Sequence, residues 1–199
     1  MQKITVIEGT GLPLNRSDVD TDQIIPSDWL KKVERTGFGK GLFSEWRDDR
    51  DFVLNKPEYA KANILVAGQN FGTGSSREHA VWAIQDYGFK AVISPRFADI
   101  FKNNCTKMGL VPVELDPVTV SLLLNEIPNN PDLLIVVDLT NLTVSVPELS
   151  VEVNFAMDSF IQYRFLNGLD DIGLTLSHAS EIDKYESERF GWLPTVKVS

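Results

Sequence analysis

A glycine-rich stretch between two apolar segments holds the residues of this chain that are best suited to chemistry. It spans residues 68–80, and in it two glycines are followed by two serines and an arginine, in the order Gly72-Thr73-Gly74-Ser75-Ser76-Arg77. The free backbone N–H groups of such a turn, and the positive end of a helix that follows it, favour an anion. Arginine offers a rigid fork of donors that matches a carboxylate at two points. The stretch therefore predicts a site for a small carboxylate beside a serine hydroxyl.

The same residues also have a purely structural interpretation. Gly72 and Gly74 can adopt a positive φ and allow a close approach of the backbone. Ser75 and Glu78 have the spacing of a capping box, with Ser75 as the N-cap of a helix near residues 76–87. The glycine spacing does not fit a dinucleotide fingerprint, and no Lys-Ser/Thr pair makes a Walker loop. Two roles thus stay open for Ser75, namely a helix cap and a reacting hydroxyl.

The surrounding elements follow an α/β pattern. Apolar runs predict strands at 63–67, 90–93 and 110–114, with helices near 76–87 and 97–107 between them. This alternation favours parallel pairing. Further elements are expected as a strand at 3–8, short helices and loops in 27–60, a helix after Asp116-Pro117, a β-hairpin within 133–147, a short strand at 151–153 and helices at 155–165 and about 178–188. Residues 1–199 are thus predicted to form one α/β domain with a C-terminal helical extension from about residue 155.

Composition restricts the classes of function. Hydrophobic residues make up 43% and charged residues 24% of the chain, as in ordinary soluble globular proteins. No apolar run of 18 residues is present, which excludes a membrane span, and without a secretory signal we expect a cytoplasmic protein. A net charge of −9 without a Lys/Arg cluster disfavours nucleic-acid binding. An anion site must therefore be locally positive, and Arg77 at a helix start fits best.

Cysteine and histidine are scarce. The single cysteine, Cys105, excludes an internal disulfide and is expected to be a buried thiol. It also excludes an iron–sulfur cluster held by this chain alone, because such clusters need several thiolates. With only His79 and His178 as histidines, we do not expect a structural zinc site either. The chain is therefore expected to carry no metal.

The glycine-rich stretch resembles the signature of the swivelling domain of the aconitase superfamily. A second signature of that superfamily is matched by residues 20–26, Asp20-Thr21-Asp22-Gln23-Ile24-Ile25-Pro26. Further strings are similar to the family of small subunits of bacterial 3-isopropylmalate dehydratases and cover nearly the whole chain: Trp29-Leu30-Lys31, Thr36-Gly37-Phe38-Gly39, Leu42-Phe43, residues 94–101, Asn103-Asn104-Cys105, Leu174-Thr175-Leu176 and Trp192-Leu193-Pro194. The resemblance implies a three-layer β/β/α swivelling domain.

An activity and a partner are implied by the same resemblance. It implies a hydro-lyase of leucine biosynthesis that interconverts 2-isopropylmalate and 3-isopropylmalate through 2-isopropylmaleate. It also implies that the chain acts only with a large subunit, and that this larger partner holds a [4Fe–4S] cluster. Homoaconitate and methylmalate-type acids stay open as substrates. The alternative from another class is a domain that binds a dicarboxylate without turning it over.

Roles for individual residues follow from the resemblance as well. Ser75 matches the residue assigned as the base, and Arg77 would bind a substrate carboxylate together with Ser76 and Gly74. The turn of Asp20, Thr21 and Asp22 would either cap the next segment or orient the site. Residues 29–42 would contact the substrate's side group, with Lys31 and Arg35 as candidate anion contacts and Phe38, Leu42 or Phe43 as candidates for an apolar patch.

Overall fold

The computed structural model describes residues 1–31 and 36–193. Within them the strands are β1 (Val6–Leu14), β2 (Ile64–Ala67), β3 (Ala91–Ser94), β4 (Val111–Glu114), β5 (Leu134–Asp138), β6 (Thr143–Val146) and β7 (Val151–Asn154). The α-helices are α1 (Thr21–Ile24), α2 (Glu78–Tyr87), α3 (Asp99–Met108), α4 (Pro117–Glu126), α5 (Ser159–Asn167), α6 (Asp171–Leu176) and α7 (Ala179–Ser187). All of these strands join one sheet in the order β4-β3-β2-β1-β5-β6-β7, which confirms the α/β class.

One half of the sheet is parallel. Strands β1 to β4 pair in parallel, with Leu12 opposite Leu65 and Val92 opposite Pro112. Every residue of β2 and β3 is buried, because helices and loops cover both faces of these apolar strands. Pro112 lies on an edge strand, where its missing N–H costs no ladder hydrogen bond on the open side. The strands and helices expected between residues 63 and 114 are confirmed to within two residues.

The other half of the sheet is antiparallel. β5 pairs with β1, β6 with β5 and β7 with β6, so the expected hairpin and the short strand after it are confirmed. Burial alternates along β5 and β6, with Ile135 and Val137 inside. This period of two is typical of strands with one covered face. β1 is the strand at which the sheet changes from parallel to antiparallel.

β1 is longer than the sequence predicts, since it continues to Leu14 instead of ending near residue 8. Gly9, Gly11 and Pro13 weaken its apolar pattern, but each has a place in the fold. A Cβ at Gly9 would lie 1.9 Å from Asn63 Oδ1, and one at Gly11 would lie 2.7 Å from Ile127. Pro13 lies beyond the last residue that β5 pairs, Thr10, so one side of the strand is open there. With these extra residues, β1 extends to the edge of the sheet at which the loops after the parallel strands meet.

Short 3₁₀ turns occupy much of the segment between β1 and β2, as expected for residues 27–60. Phe38, Leu42 and Phe43 lie in the core and are at most 1% exposed. Phe43 stacks on Trp46 with ring centroids 5.2 Å apart. The expectation that one of these three residues forms an apolar patch for a substrate is therefore wrong for this chain, since their side chains already pack against its own core.

The C-terminal part is helical, with one more helix than the sequence predicts. α5 begins after Asp158, whose carboxylate accepts from the N–H groups at the helix start, and ends at Gly168 with φ +69°. The sequence does not predict α6, because Gly173 interrupts its short apolar pattern. The final helix, α7, is confirmed. None of the helices within residues 1–31 and 36–193 is long and apolar enough to cross a membrane.

Candidate active site

Three loops meet at the carboxyl ends of three neighbouring parallel strands. Residues 15–20 follow β1, residues 68–77 (the site loop) follow β2, and residues 95–98 follow β3. The N–H of Gly68 donates to Arg16 O at 3.0 Å, and the N–H of Phe71 donates to Arg96 O at 3.0 Å. The site loop therefore lies between the other two. This edge of an α/β sheet is where ligands commonly bind.

Backbone hydrogen bonds fix the tip of the site loop against the first loop. The N–H of Gly72 donates to Val19 O at 2.7 Å, and the N–H of Thr21 donates to Thr73 O at 2.9 Å. Asp20 and Thr73 form a parallel bridge at the same place. The two family signatures, which are some 50 residues apart in sequence, thus form one backbone unit. The turn holds its shape through tertiary contacts rather than through its glycines alone.

Two residues with left-handed backbone support this unit. Asp18 has φ +56° and Asn70 has φ +59°, a conformation that Asp and Asn tolerate better than other non-glycine residues. Asn70 Nδ2 donates to Asp18 Oδ1 at 2.8 Å, so each side chain helps to hold the other's turn. Asp18 is not among the residues that the sequence predicts for the site. Its residue type, in a polar segment before a cap, was the available signal.

Gly72 and Gly74 both have the expected positive φ, at +81° and +89°. Their surroundings differ. A Cβ at Gly72 would lie 2.2 Å from Cγ of the buried Phe101 ring, whereas the nearest atom to a Cβ at Gly74 would be Thr21 Oγ1 at 3.4 Å. Gly72 is therefore needed for both conformation and space, and Gly74 mainly for conformation.

We expect Gly72→Ala to lower the free energy of unfolding by about 3–4 kcal/mol, from overpacking together with backbone strain. Gly74→Ala, the matched control with similar φ and more room, should cost about 1–2 kcal/mol from strain alone. Urea unfolding of the two variants measures both values. Equal losses at the two positions would contradict the packing of Phe101 beneath Gly72.

Ser75 is not a helix cap. α2 begins at Glu78, and its N-cap position is occupied by Arg77, whose side chain makes no capping hydrogen bond. The capping box expected from Ser75 and Glu78 is therefore wrong. A capping box does occur on α1, where Gln23 N donates to Asp20 Oδ1 at 2.8 Å and Asp20 N donates to Gln23 Oε1 at 3.0 Å. The side chain of Ser75, an exposed residue, is thus free of that structural role.

Thr21 contacts Ser75 through its hydroxyl group. The buried Thr21 hydroxyl lies 3.1 Å from Ser75 O, to which it donates, and 3.3 Å from Ser75 Oγ. A threonine hydroxyl has one proton and two lone pairs. When its proton is directed to the carbonyl of Ser75, a lone pair is left for the Ser75 hydroxyl. Asp20 therefore caps α1, which is one of the two roles left open for the turn, and Thr21 contacts the site loop.

Arg77 already binds a carboxylate in this structure. Its Nη1 forms an ion pair with Asp22 Oδ1. The Arg77 side chain is 19% exposed, and that of Asp22 is 59% exposed, so the pair lies at the surface with the arginine on its inner side. The guanidinium has further N–H donors beyond the one that Asp22 uses. The guanidinium therefore keeps donors that a further carboxylate could use, and one side of it contacts Asp22.

The other predicted contacts divide into those near Ser75 and those apart from it. Gly74 and Ser76 flank Ser75 on the exposed rim of the site loop. Lys31 is 79% exposed, and its Nζ lies 2.9 Å from Asp28 Oδ1 within the same 3₁₀ turn. Its described ion pair is thus local and does not link it to the site loop. Arg35 lies outside the described residues.

Metal-binding groups are few in the described part of the chain. Cys105 is fully buried in α3, and burial raises the pKa of its thiol well above the usual range. His79 packs between Phe38 and Trp82, with ring centroids 5.3 and 4.6 Å away. Within residues 1–31 and 36–193, no group of three or more His, Cys, Asp or Glu side chains could hold a metal ion. The residues present do not fit an iron–sulfur cluster.

Comparisons with known proteins show which family the chain is similar to. The family model for the aconitase C-terminal domain matches residues 1–118, and the model for the C-terminal domain of the 3-isopropylmalate dehydratase small subunit matches residues 171–195. Among curated relatives, the 3-isopropylmalate dehydratase small subunit of Rubrobacter xylanophilus is 58% identical over 98% of this chain and 100% of its own length. That of Frankia alni is 56% identical over 98% of this chain and 99% of its own.

A solved structure is similar over most of the chain. The crystal structure of 3-isopropylmalate dehydratase (leuD) from Methanocaldococcus jannaschii superposes with a TM-score of 0.68 at 26% identity. The match covers 90% of this chain and 99% of that one. Sequence, fold and the two signatures joined at the site loop agree, and the chain belongs to the family of 3-isopropylmalate dehydratase small subunits, with the fold of the aconitase C-terminal domain.

Proposed function

We propose that this chain is the small subunit of a hydro-lyase of leucine biosynthesis that interconverts 2-isopropylmalate and 3-isopropylmalate. In this proposal it supplies the base and one carboxylate-binding group to an active site shared with a large subunit. The observation that carries the proposal is the arrangement of Ser75 and Arg77 on one loop, with Thr21 at the hydroxyl and Asp22 at the guanidinium. The names of the relatives support this choice of substrate.

The reaction requires a proton to leave the carbon next to a carboxylate while hydroxide leaves the neighbouring carbon. Rehydration of the alkene in the opposite sense gives the isomer. Ser75 would take the proton, which requires stabilisation of its alkoxide form. The Thr21 hydroxyl, 3.3 Å away, can turn to donate to an alkoxide, and the positive end of α2 and Arg77 lie close by in sequence.

Binding of the substrate would rely on charge and shape together. Arg77 would hold one carboxylate at two points, which fixes the acidic carbon relative to Ser75. Ser76 and Gly74, on either side of Ser75, would donate to the same carboxylate. The resemblance implies a [4Fe–4S] cluster on the large subunit. This chain has one thiol, which is buried and has a raised pKa, so any such cluster would be held by the partner chain.

A sister hydro-lyase is the second candidate. Homoaconitate and methylmalate-type acids share the hydroxyl and carboxylates of isopropylmalate and differ in the side group. The site loop would contact the shared part, so its geometry fits all three. The names of the relatives favour isopropylmalate, and substrate profiling separates the candidates.

The test is an anaerobic assay of the chain together with its large subunit, which follows alkene formation from 3-isopropylmalate by ultraviolet absorbance. The chain alone, the large subunit alone, homoaconitate and a methylmalate serve as comparisons. We expect turnover of 3-isopropylmalate by the complex only. If the complex turned over a sister acid instead, that acid would be assigned as the substrate. Binding of a dicarboxylate without any turnover would favour a domain that only binds.

We expect Asp22→Asn to lower kcat/KM of the complex about tenfold, mainly through a higher KM. Loss of the Asp22 carboxylate removes a charge-assisted hydrogen bond that holds Arg77 in place. Such bonds contribute about 1.5–3 kcal/mol. Asp132→Asn, which removes an exposed carboxylate far from the site loop in sequence, is the control and should leave both constants unchanged. An unchanged KM in Asp22→Asn would show that Asp22 does not position the arginine.

A further inference from the structure

We infer that the apolar side chains of residues 171–193 form a docking surface for the large subunit, separate from the catalytic contact. This inference rests on the proposed function, because it takes the partner from there. We call the set the C-terminal apolar surface: Ile172, Leu176, Ile182, Tyr185, Phe190 and Trp192.

These side chains are exposed although they are large and apolar. Ile172 is 72%, Tyr185 70% and Trp192 78% exposed. Phe190 and Trp192 stack on each other with ring centroids 6.1 Å apart, in the open. α6 and α7 contain no buried residue, in contrast to α5, which buries Phe165. A contiguous stretch of sequence with this exposure is typical of an interaction site.

The spacing of the apolar residues places them on one face of each helix. Ile172 and Leu176 are four residues apart on α6, and Ile182 and Tyr185 are three apart on α7, so each pair lies on one side of its helix. A helix of nine residues has little stability of its own in water. Because no residue of α7 is buried in this chain, a partner surface is a source of stability for the helix.

The comparisons indicate which partner fits. The model of the aconitase C-terminal domain ends at residue 118, and residues 171–195 are matched by a model specific to 3-isopropylmalate dehydratase small subunits. The segment is thus a feature of these small subunits rather than of the domain they share with aconitase. A contact that holds a separate large subunit is the role that such a segment would have.

A second copy of this chain is a poorer occupant. α7 carries three carboxylates, Glu181, Asp183 and Glu186, against one lysine, Lys184. The whole chain has a net charge of −9. Two copies meeting through this helix would bring like charges together, which opposes association. The surface therefore fits a partner with apolar residues bordered by basic ones.

The surface starts far from the site loop. The amino group of Met1 donates to Gly168 O at 3.2 Å, and Ile4 N donates to Phe165 O at 2.9 Å. These residues precede β1, whereas the site loops lie beyond its other end, about 30 Å away for a strand of nine residues. Docking at the C-terminal apolar surface should therefore determine how tightly the subunits bind and leave the chemistry unchanged.

The experiment titrates a fixed amount of large subunit with small subunit, and follows both binding by biolayer interferometry and turnover of 3-isopropylmalate. The test variant is Ile182→Asp/Tyr185→Asp. The matched control is Ser180→Asp/Ser187→Asp, which adds the same two charges on the opposite side of α7. We expect the test variant to raise the dissociation constant at least about tenfold and to keep kcat at saturation, with the control within about twofold of wild type.

Other outcomes would overturn the inference. If the test variant had the same dissociation constant as wild type, the C-terminal apolar surface would not be part of the interface. A lower unfolding temperature of the isolated test variant, but not of the control, would mean that the face packs on its own chain. Wild-type self-association that only the test variant abolishes would assign the surface to a second copy. Binding without turnover in the wild type would count against the proposed function alone, since the binding titration still tests the surface.

Discussion

Replacement of Ser75 by alanine is expected to lower kcat of the two-subunit enzyme by about 10²–10⁴-fold, the range over which a positioned acid or base contributes. KM should stay within about threefold, since Arg77 still binds the carboxylate and chemistry alone is slowed. Steady-state kinetics with 3-isopropylmalate measure both constants. The loss should be the same for 2-isopropylmalate, because one base serves both directions.

The unfolding of Ser75→Ala separates the two roles that the sequence leaves open. Loss of a helix cap costs about 1 kcal/mol, but the helix here begins at Glu78 without a Ser75 cap. The free energy of unfolding of the isolated subunit should therefore be unchanged. Ser17→Ala, at an exposed serine on the facing loop, is the control and should alter neither kcat nor stability. A Ser75→Ala enzyme with more than a tenth of wild-type kcat would contradict the assignment of the base.

Arg77→Lys is expected to lower kcat/KM about 10²-fold, with contributions from a higher KM and a lower kcat. At 1.36 kcal/mol for each factor of ten, this corresponds to about 2.7 kcal/mol of lost transition-state stabilisation. Lysine keeps the positive charge and can still pair with Asp22, so the fold of the site loop should persist. What lysine lacks is the planar fork that holds a carboxylate at two points.

Arg50→Lys, at an exposed position in the turns before β2, controls for the exchange of residue type. Its kinetic constants should match those of wild type. Near-normal kinetics in Arg77→Lys would mean that charge alone is needed and that the fork geometry has no role. Binding of a dicarboxylate inhibitor should weaken in parallel with KM, because the inhibitor would use the same guanidinium.

Local patterns predicted those parts of the fold that depend on neighbouring residues. The buried runs of β2 and β3 and the positive φ of Gly72 and Gly74 follow from a few consecutive residue types. The spacing of Ser75 and Glu78 is also a local pattern, but the capping box that it predicts does not form. The backbone of Thr73 and Ser75 is hydrogen-bonded to Val19 and Thr21, and with these distant contacts α2 begins only at Glu78.

Other parts of the site depend on contacts that no local pattern reveals. Phe38 packs beside His79 and Trp82 of α2, so a residue expected to meet the substrate lies in the core. The pairing of Asp22 with Arg77 joins residues 55 apart in sequence. The sequence predicts both residues for the site, and only the folded backbone shows that they are in contact. The length of β1 likewise depends on distant contacts, because Asn63 and Ile127 lie so close to Gly9 and Gly11 that only glycine fits at these two positions.

The central position of β1 has a consequence for how the chain folds during synthesis. β1 finds its parallel neighbour once Ala67 has left the ribosome, but its antiparallel neighbour is complete only with Asp138. The roughly 71 residues from Ala67 to Asp138 take about 4–14 s to synthesise at 5–20 residues per second. Throughout that interval the side of β1 that will pair with β5 is an open strand edge, which is prone to pairing with other chains. A fragment that stops at residue 118 would keep this edge permanently and should aggregate.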